Sequence, residues 1–293
     1  MTKKTFILAI FTLLNTAIFA QHFEMGVLLG GSNYMGDLSN NSTKVYLDET
    51  RFAGGAFVRY NFGERLVARV SFNYAGISGN DFNSNDAAIN ARNLGFKSSL
   101  LELGVMGEFN ILGYQPYGLY KVFTPYIFAG VTGTKFNPKA NFEGEWVALQ
   151  PLGTEGQGLS QYPDREEYKT ITLTIPFGIG VKYAVTDKLN IGFEIGARRA
   201  FSDFLDDVSG TYVASTELAA DGNTLGAALS NRTGELSGGE PVVVPTGTAR
   251  GDDTDSDWYF ITGITVSYNF LDNGLMGGRK RGRSRKGCKS SSF

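Results

Sequence analysis

Hydrophobic and polar residues alternate along this chain with a period of two. From Trp258 one set runs Trp258, Phe260, Thr262, Ile264, Val266, Tyr268, Phe270, and the interleaved set runs Tyr259, Ile261, Gly263, Thr265, Ser267, Asn269. Leu66, Ala68, Val70, Phe72 and Tyr74 alternate in the same way with Arg65, Val67, Arg69, Ser71 and Asn73. Further runs cover Leu101 to Ile111, Ile171 to Tyr183 and Leu189 to Arg198. Successive side chains of a strand point to opposite faces, so these runs are strands with one apolar and one polar face. Less regular runs at about 23–35, 53–62 and 122–134 bring the total to eight. No amphipathic helix of useful length is evident.

The connections alternate too. Residues 61–64 and 184–188 make short turns and 113–121 a medium one, whereas 37–51, 77–97, 135–169 and 200–256 are long. Short turns on one rim and long loops on the other are the pattern of an outer-membrane barrel, with the short turns in the periplasm. The long loops are rich in Gly, Asn, Ser and Asp, and are expected to be solvated and partly mobile. A soluble sandwich would turn the apolar face inward. Three features favour lipid instead. The runs reach ten or more residues, enough to cross a bilayer at a tilt. Aromatics (Phe72, Tyr74, Tyr183, Trp258, Phe260, Tyr268, Phe270) stand at the ends of the apolar face, where interfacial girdles lie. The first residues, MTKKTFILAIFTLLNTAIFAQ, also read as a cleaved secretory signal peptide over 1–20. The expected fold is therefore an all-β, eight-stranded antiparallel transmembrane barrel over 21–270.

In that fold the polar face lines the lumen. It carries Arg59, Arg69, Glu102, Glu108, Lys182, Glu194 and Arg198. An eight-stranded barrel is just wide enough for side chains to fill. These charges are expected to pair across a plugged interior, in preference to lining an ion path.

Charge changes the picture at the C-terminus. Residues 21–278 hold 18 basic residues against 29 acidic ones, a net −11, while RKRGRSRKGCK is strongly basic. Residues 271–293 follow the last strand directly, and their Gly, Arg, Lys and Ser content predicts disorder. On the periplasmic side Arg279, Lys280, Arg281, Arg283, Arg285 and Lys286 would meet phospholipid, cell wall or an acidic protein; an exported barrel meets little nucleic acid. The single cysteine, Cys288, leaves no internal disulfide.

Candidate chemistry is sparse. Gly26 to Ser39, GVLLGGSNYMGDLS, lacks the Lys-Ser/Thr of a phosphate loop, and inner-face glycines making room for larger neighbours explain it better. Asp253, Asp255 and Asp257 are weak metal candidates, since Trp258 and Ile264 stand where a calcium loop needs Gly and Glu; a solvated acidic lead-in to the last strand is the plainer reading. His22 is the only histidine, placed outside the first strand, which leaves no held imidazole for acyl-transfer chemistry. No catalytic residue and no cofactor is expected.

Several segments carry a resemblance: GVLLGGSNYMGDLS, FVRYNFGERLVARVSFNYAGISGND, ELGVMGEFNIL, FTPYIFAGVTGTKFNP, TLTIPFGIGVKY and LNIGFEIGARRAFSDFLDDVSGTY. Together they resemble the PorG family, small outer-membrane barrels of the type IX secretion machinery. The elements at Tyr34–Leu38 and Asp203–Ser209 are the most family-like. The resemblance implies an accessory subunit that contacts a periplasmic ring lipoprotein and its partner. It covers most of residues 23–215 and the final strand; the remainder of the fourth long loop and the basic tail are not mapped onto the family. The alternative function is a surface adhesin or binding barrel acting through the long extracellular loops.

Overall fold

The computed structural model describes residues 22–39, 47–84, 86–116, 120–235, 238–239, 242–254 and 256–270. The expected signal peptide and the basic tail, with Arg279, Lys280, Arg281, Arg283, Arg285 and Lys286, lie outside the described residues, as does Asp255.

Ten strands run in chain order as β1 (His22–Met35), β2 (Arg51–Asn61), β3 (Leu66–Asn80), β4 (Gly95–Asn110), β5 (Phe123–Lys135), β6 (Pro138–Phe142), β7 (Glu145–Ala148), β8 (Ile171–Ala184), β9 (Leu189–Ala200) and β10 (Trp258–Asn269). All but β6 and β7 form one antiparallel ring. β1 pairs with both β2 and β10, β5 pairs with both β4 and β8, and the β3–β4 pairing closes the circle. The molecule is a closed eight-stranded transmembrane barrel, and β6–β7 is a hairpin added to the top of β4. Closure leaves no barrel strand with an unpaired edge, the condition for a sheet in hydrocarbon.

The two faces sort as the alternation demands. Leu29, Val70, Leu103, Val105, Ile127, Val131, Ile179 and Ile264 point outward and are exposed. In water so much continuous apolar surface would be an aggregation site, whereas against acyl chains it is solvated. Two aromatic rings bound it. Near the short turns Phe23, Tyr60 and Phe62 stack edge to face at 5.1 and 4.9 Å, and Tyr268 meets Phe270 at 5.1 Å. Near the long loops Phe177 meets Trp258 at 5.9 Å.

β3 and β4 run further than the alternation indicated. Residues 77–97 were expected as a loop, yet β3 continues to Asn80 and β4 begins at Gly95. The reason is an exchange of polarity between the faces. Below Tyr74 the outward residues are apolar and the inward ones polar. Above it the outward residues are Gly76, Ser78 and Asn80, while Ala75 and Ile77 turn inward and are fully buried. Leu100 and Phe96 repeat the exchange on β4. The strands leave the membrane at this level and continue into water around an apolar core. β1 also starts one residue earlier than expected, at His22.

The long loops are largely structured rather than simply solvated. They contain the β6–β7 hairpin and the short helices α1 (Ala87–Arg92), α2 (Ser215–Ala220) and α3 (Thr224–Ser230). Leu38, Leu94, Phe136, Leu205 and Val208 from the loops pack with Tyr34, Ile77, Leu100, Tyr259 and Ile261 from the strands in one buried cluster. A second cluster joins Leu159 to Val213, Leu218 and Ala227. The loops therefore form a folded cap that seals the long-loop end of the barrel with apolar contacts.

Candidate functional site

Two constellations of buried polar groups lie along the barrel axis. The lower one fills the membrane-spanning lumen. The seven charges expected there are all between 1% and 3% exposed. Glu108 receives Arg59 Nε at 2.8 Å on Oε1, Arg69 Nη1 at 3.1 Å on the same oxygen, and Lys182 Nζ on Oε2. Arg69 forks onto both oxygens of Glu194, from Nη1 at 2.5 Å and Nη2 at 3.0 Å. Arg198 and Glu102 form a separate pair at 3.5 Å, and Tyr259 donates its hydroxyl to Glu102.

One partner escaped the sequence reading. Glu24, on β1, accepts from Arg59 Nη1 at 2.7 Å and from Ser267 on β10 at 2.6 Å. The inward set of β1 mixes Glu24 with Leu28 and Tyr34, which blurs its alternation. With Glu24 included, the lumen holds four carboxylates (Glu24, Glu102, Glu108, Glu194) and four cations (Arg59, Arg69, Lys182, Arg198). Each charge is matched by a fixed opposite charge, which offsets the cost of burying it.

Aromatic rings complete the filling. Arg59 lies 4.2 Å over Phe57, Lys182 Nζ 4.4 Å over Tyr126, and Arg69 5.0 Å over Phe128. Glycine makes this possible: a Cβ on Gly180 would stand 2.4 Å from the Tyr126 ring, and one on Gly178 or Gly196 would stand 2.7 Å from Phe128. Gly26, Gly30 and Gly31 of the Gly26 to Ser39 stretch belong to β1, and a Cβ on Gly26 would meet Phe57 at 2.5 Å.

The upper constellation lies in the cap, and the two family-like elements meet there. Tyr34 Oη lies 2.8 Å from Asp206 Oδ2 and 2.6 Å from Asp257 Oδ1. A phenol has one hydrogen to donate, so the second short contact requires a protonated carboxyl donating to Tyr34. The outer oxygens are already acceptors: Asp257 Oδ2 takes Leu205 N–H at 2.8 Å and Asp206 Oδ1 takes Val208 N–H at 2.9 Å. The shared proton is thus confined to the inner oxygens, beside the tyrosine.

Around this pair the acids outnumber the bases. Asp37 accepts the Asp252 N–H, Arg92 forks onto Asp81, and Arg250 bonds Glu155 at 3.0 Å. Asp207, in the left-handed region at φ 72°, accepts from Tyr168 at 2.6 Å and from Thr154. Tyr168 in turn stacks on Phe204 at 4.5 Å. Burial, then the neighbouring Asp257 charge, pushes the Asp206 carboxyl well above the usual range. Burial raises Asp257 to about 7 and Asp203 to about 8. It also raises Asp37 and Asp207 to about 6, the latter against the pull of Arg250.

The metal candidates part company. Asp257 is no solvated lead-in to β10: it is 1% exposed and bound to Tyr34 and Leu205, because the cap closes over it. Asp253 stays exposed and Asp255 is outside the described residues. Among the described residues no group of three or more His, Cys, Asp or Glu is placed to hold a metal ion. The paired aspartates are sealed by the same burial, so the pair has no open face toward a substrate.

Residues 3–220 match the model of the family described as "Domain of unknown function (DUF6089)". A search of curated proteins finds no match. Among solved structures, the chain is similar to the outer membrane protein OprG from Pseudomonas aeruginosa, at 10% identity over 86% of this chain and 96% of that one, with a TM-score of 0.38. It is similar also to the N-terminal β-barrel domain of Pseudomonas aeruginosa OprF, at 10% identity over 85% and 97%, with a TM-score of 0.33. Neisserial surface protein A matches at 8% identity over 84% and 95%, with a TM-score of 0.36. Likeness at that level carries nothing about function; the barrel is read from its own strand pairing.

Proposed function

The chain belongs to the DUF6089 family, and we propose that it is a non-conducting, non-enzymatic outer-membrane barrel acting as an accessory or anchoring subunit of a protein-secretion apparatus of the type IX kind. The observation that carries this reading is the double seal. Four matched charge pairs occupy the lumen and a folded cap packs over it, so the interior offers neither an aqueous path nor an open site. What remains for interaction is the outside. The apolar belt faces outer-membrane lipid, and the two rims face partners.

Outer-membrane barrels place short turns in the periplasm. Phe270 N–H bonds the Phe23 carbonyl at 2.9 Å on that rim, so the last described strand ends there. The resemblance of the Tyr34–Leu38 and Asp203–Ser209 elements to the PorG family supports a periplasmic ring lipoprotein and its partner as what docks there.

Deleting residues 271–293 tests the docking. The shortened barrel is expected to keep its heat-modifiable migration in detergent gels and to lose periplasmic partners in crosslinked pull-down from intact envelopes. Unchanged partner recovery would remove the tail from the role. Steady single-channel current from the full chain in planar bilayers would end the non-conducting reading.

A further inference from the structure

The outward face of the barrel carries a groove of about 680 Å³ at the level where β3 and β4 leave the membrane. Its lower edge is aromatic, formed by Phe52 and Tyr74. Above them it is bounded by the polar extension of the β3–β4 hairpin and by Trp146 of the β6–β7 hairpin. Four cations line it (Arg51, Lys97, Lys139, Arg232) against a single carboxylate, Glu49. Arg51 is matched by Glu49 at 3.2 Å and Arg232 by Glu235 at 2.8 Å.

Lys97 and Lys139 are different. They stand directly opposite each other in the β4–β6 register, and among the described residues neither makes an ion pair. Like charges directly opposite on one face of a sheet are destabilising. Lys97 has its ammonium 3.5 Å from the centre of the Trp146 ring, which holds it over the groove. Two unneutralised ammonium groups above an aromatic edge and an apolar wall match an amphiphile with a phosphate at its head.

We propose that this groove binds the phosphorylated head group of a glycolipid in the surrounding leaflet, its phosphate bridging Lys97 and Lys139 and its acyl chains lying along the wall below Phe52 and Tyr74. The inference rests on the outer-membrane reading, because that membrane's outward leaflet is the one built of phosphorylated glycolipid. Phosphate chemistry alone could also come from free anion, and the experiment separates the two.

The full chain in nanodiscs is measured for retention of diphosphorylated lipid A, of its dephosphorylated form and of inorganic phosphate, by native mass spectrometry. Wild type is expected to retain the diphosphorylated lipid selectively. K97Q/K139Q should weaken this by about tenfold to thirtyfold, at roughly 1 kcal/mol per lysine. K97R/K139R should retain it, and K188Q on the other rim should change nothing. Heat-modifiable migration checks that each variant folds. Equal retention by K97Q/K139Q and wild type, or equal retention of the dephosphorylated lipid, overturns the proposal. Retention of inorganic phosphate without lipid overturns the lipid source. Periplasmic pull-down is unaffected by the lysines, so failure here leaves the docking role standing, whereas absence of the chain from outer-membrane fractions ends both.

Discussion

The lumen and the cap bury comparable numbers of charged groups and neutralise them by opposite means. In the lumen four carboxylates face four fixed cations, matched one for one. In the cap Asp37, Asp81, Glu155, Asp203, Asp206, Asp207 and Asp257, buried or half-buried, share only the ion pairs of Arg92 and Arg250 among the described residues. Part of the deficit is met by protons: the two short contacts of Tyr34 with Asp206 and Asp257 require one held between the two acids. A cluster balanced by arginine and lysine is fixed over the physiological range. A cluster balanced by protons titrates. The difference follows from surroundings: hydrocarbon outside the lumen makes any net charge expensive, whereas the cap lies in water and can trade protons with it.

The largest effect that would break this comparison is expected in the lumen. Arg59→Ala leaves Glu24 without its ion-pair partner and takes one of three cations from Glu108. It should cost about 3–5 kcal/mol, read as a lowered urea midpoint in lipid vesicles. A loss under about 1 kcal/mol would mean that water already reaches the network.

Next comes the pH response of the cap. Asp37, Asp203, Asp206, Asp207 and Asp257 have folded pKa values above the ordinary carboxylate value, so protonation favours the folded cap. That stability is complete below the unfolded value near 4 and is lost as pH rises through about 6 to 8. Amide protection in residues 203–213, measured relative to the intrinsic base-catalysed exchange rate at each pH, should therefore fall between pH 5 and 8.5, by about tenfold to a hundredfold. Protection in the β8 and β9 segments below should stay level, and D257N should flatten the profile. An equal loss of protection in both regions would remove the distinction.

Tyr34→Phe sharpens the same point. It removes the donor that holds the shared proton's neighbours together, and should cost the cap about 1–3 kcal/mol, mostly above neutral pH. The smallest effect belongs to a surface pair. Lys121 and Glu64 meet on the short-turn side at 43% and 37% side-chain exposure, and Lys121→Ala should change thermal stability by about 1 kcal/mol or less.

The barrel was readable because lipid enforces alternation: an outward Leu103 or Ile179 admits no exception over the span of the membrane. The same alternation placed Arg59, Arg69, Glu102, Glu108, Lys182, Glu194 and Arg198 on the inner face. Which of them pair was hidden, since it depends on register around the ring. The strand extensions were hidden for a different reason. Above Tyr74 the faces exchange polarity, and a reader looking for a continuous apolar stripe sees it stop at the membrane surface. The cap was obscured by its composition. Gly, Asp and Ser dominate its sequence, while the few residues that build its core, such as Leu205, Val208, Val213 and Leu218, are scattered among them. Tyr34–Leu38 and Asp203–Ser209 stood out as motifs, but nothing in one dimension indicated that they touch.

The seam between β1 and β10 sets the order in which the molecule can be made. Glu24 lies opposite Asn269 in that seam, so the first strand waits for the last before the ring exists. Until then two edges of unpaired backbone face the bilayer, where each unmet amide or carbonyl costs several kcal/mol. The Glu24–Ser267 bond spans the same join, so the lumen network and the ring are completed in one event. Residues 201–257 must reach the far side before β10 can enter. A variant that weakens this join is therefore expected to fail at insertion rather than in the finished barrel.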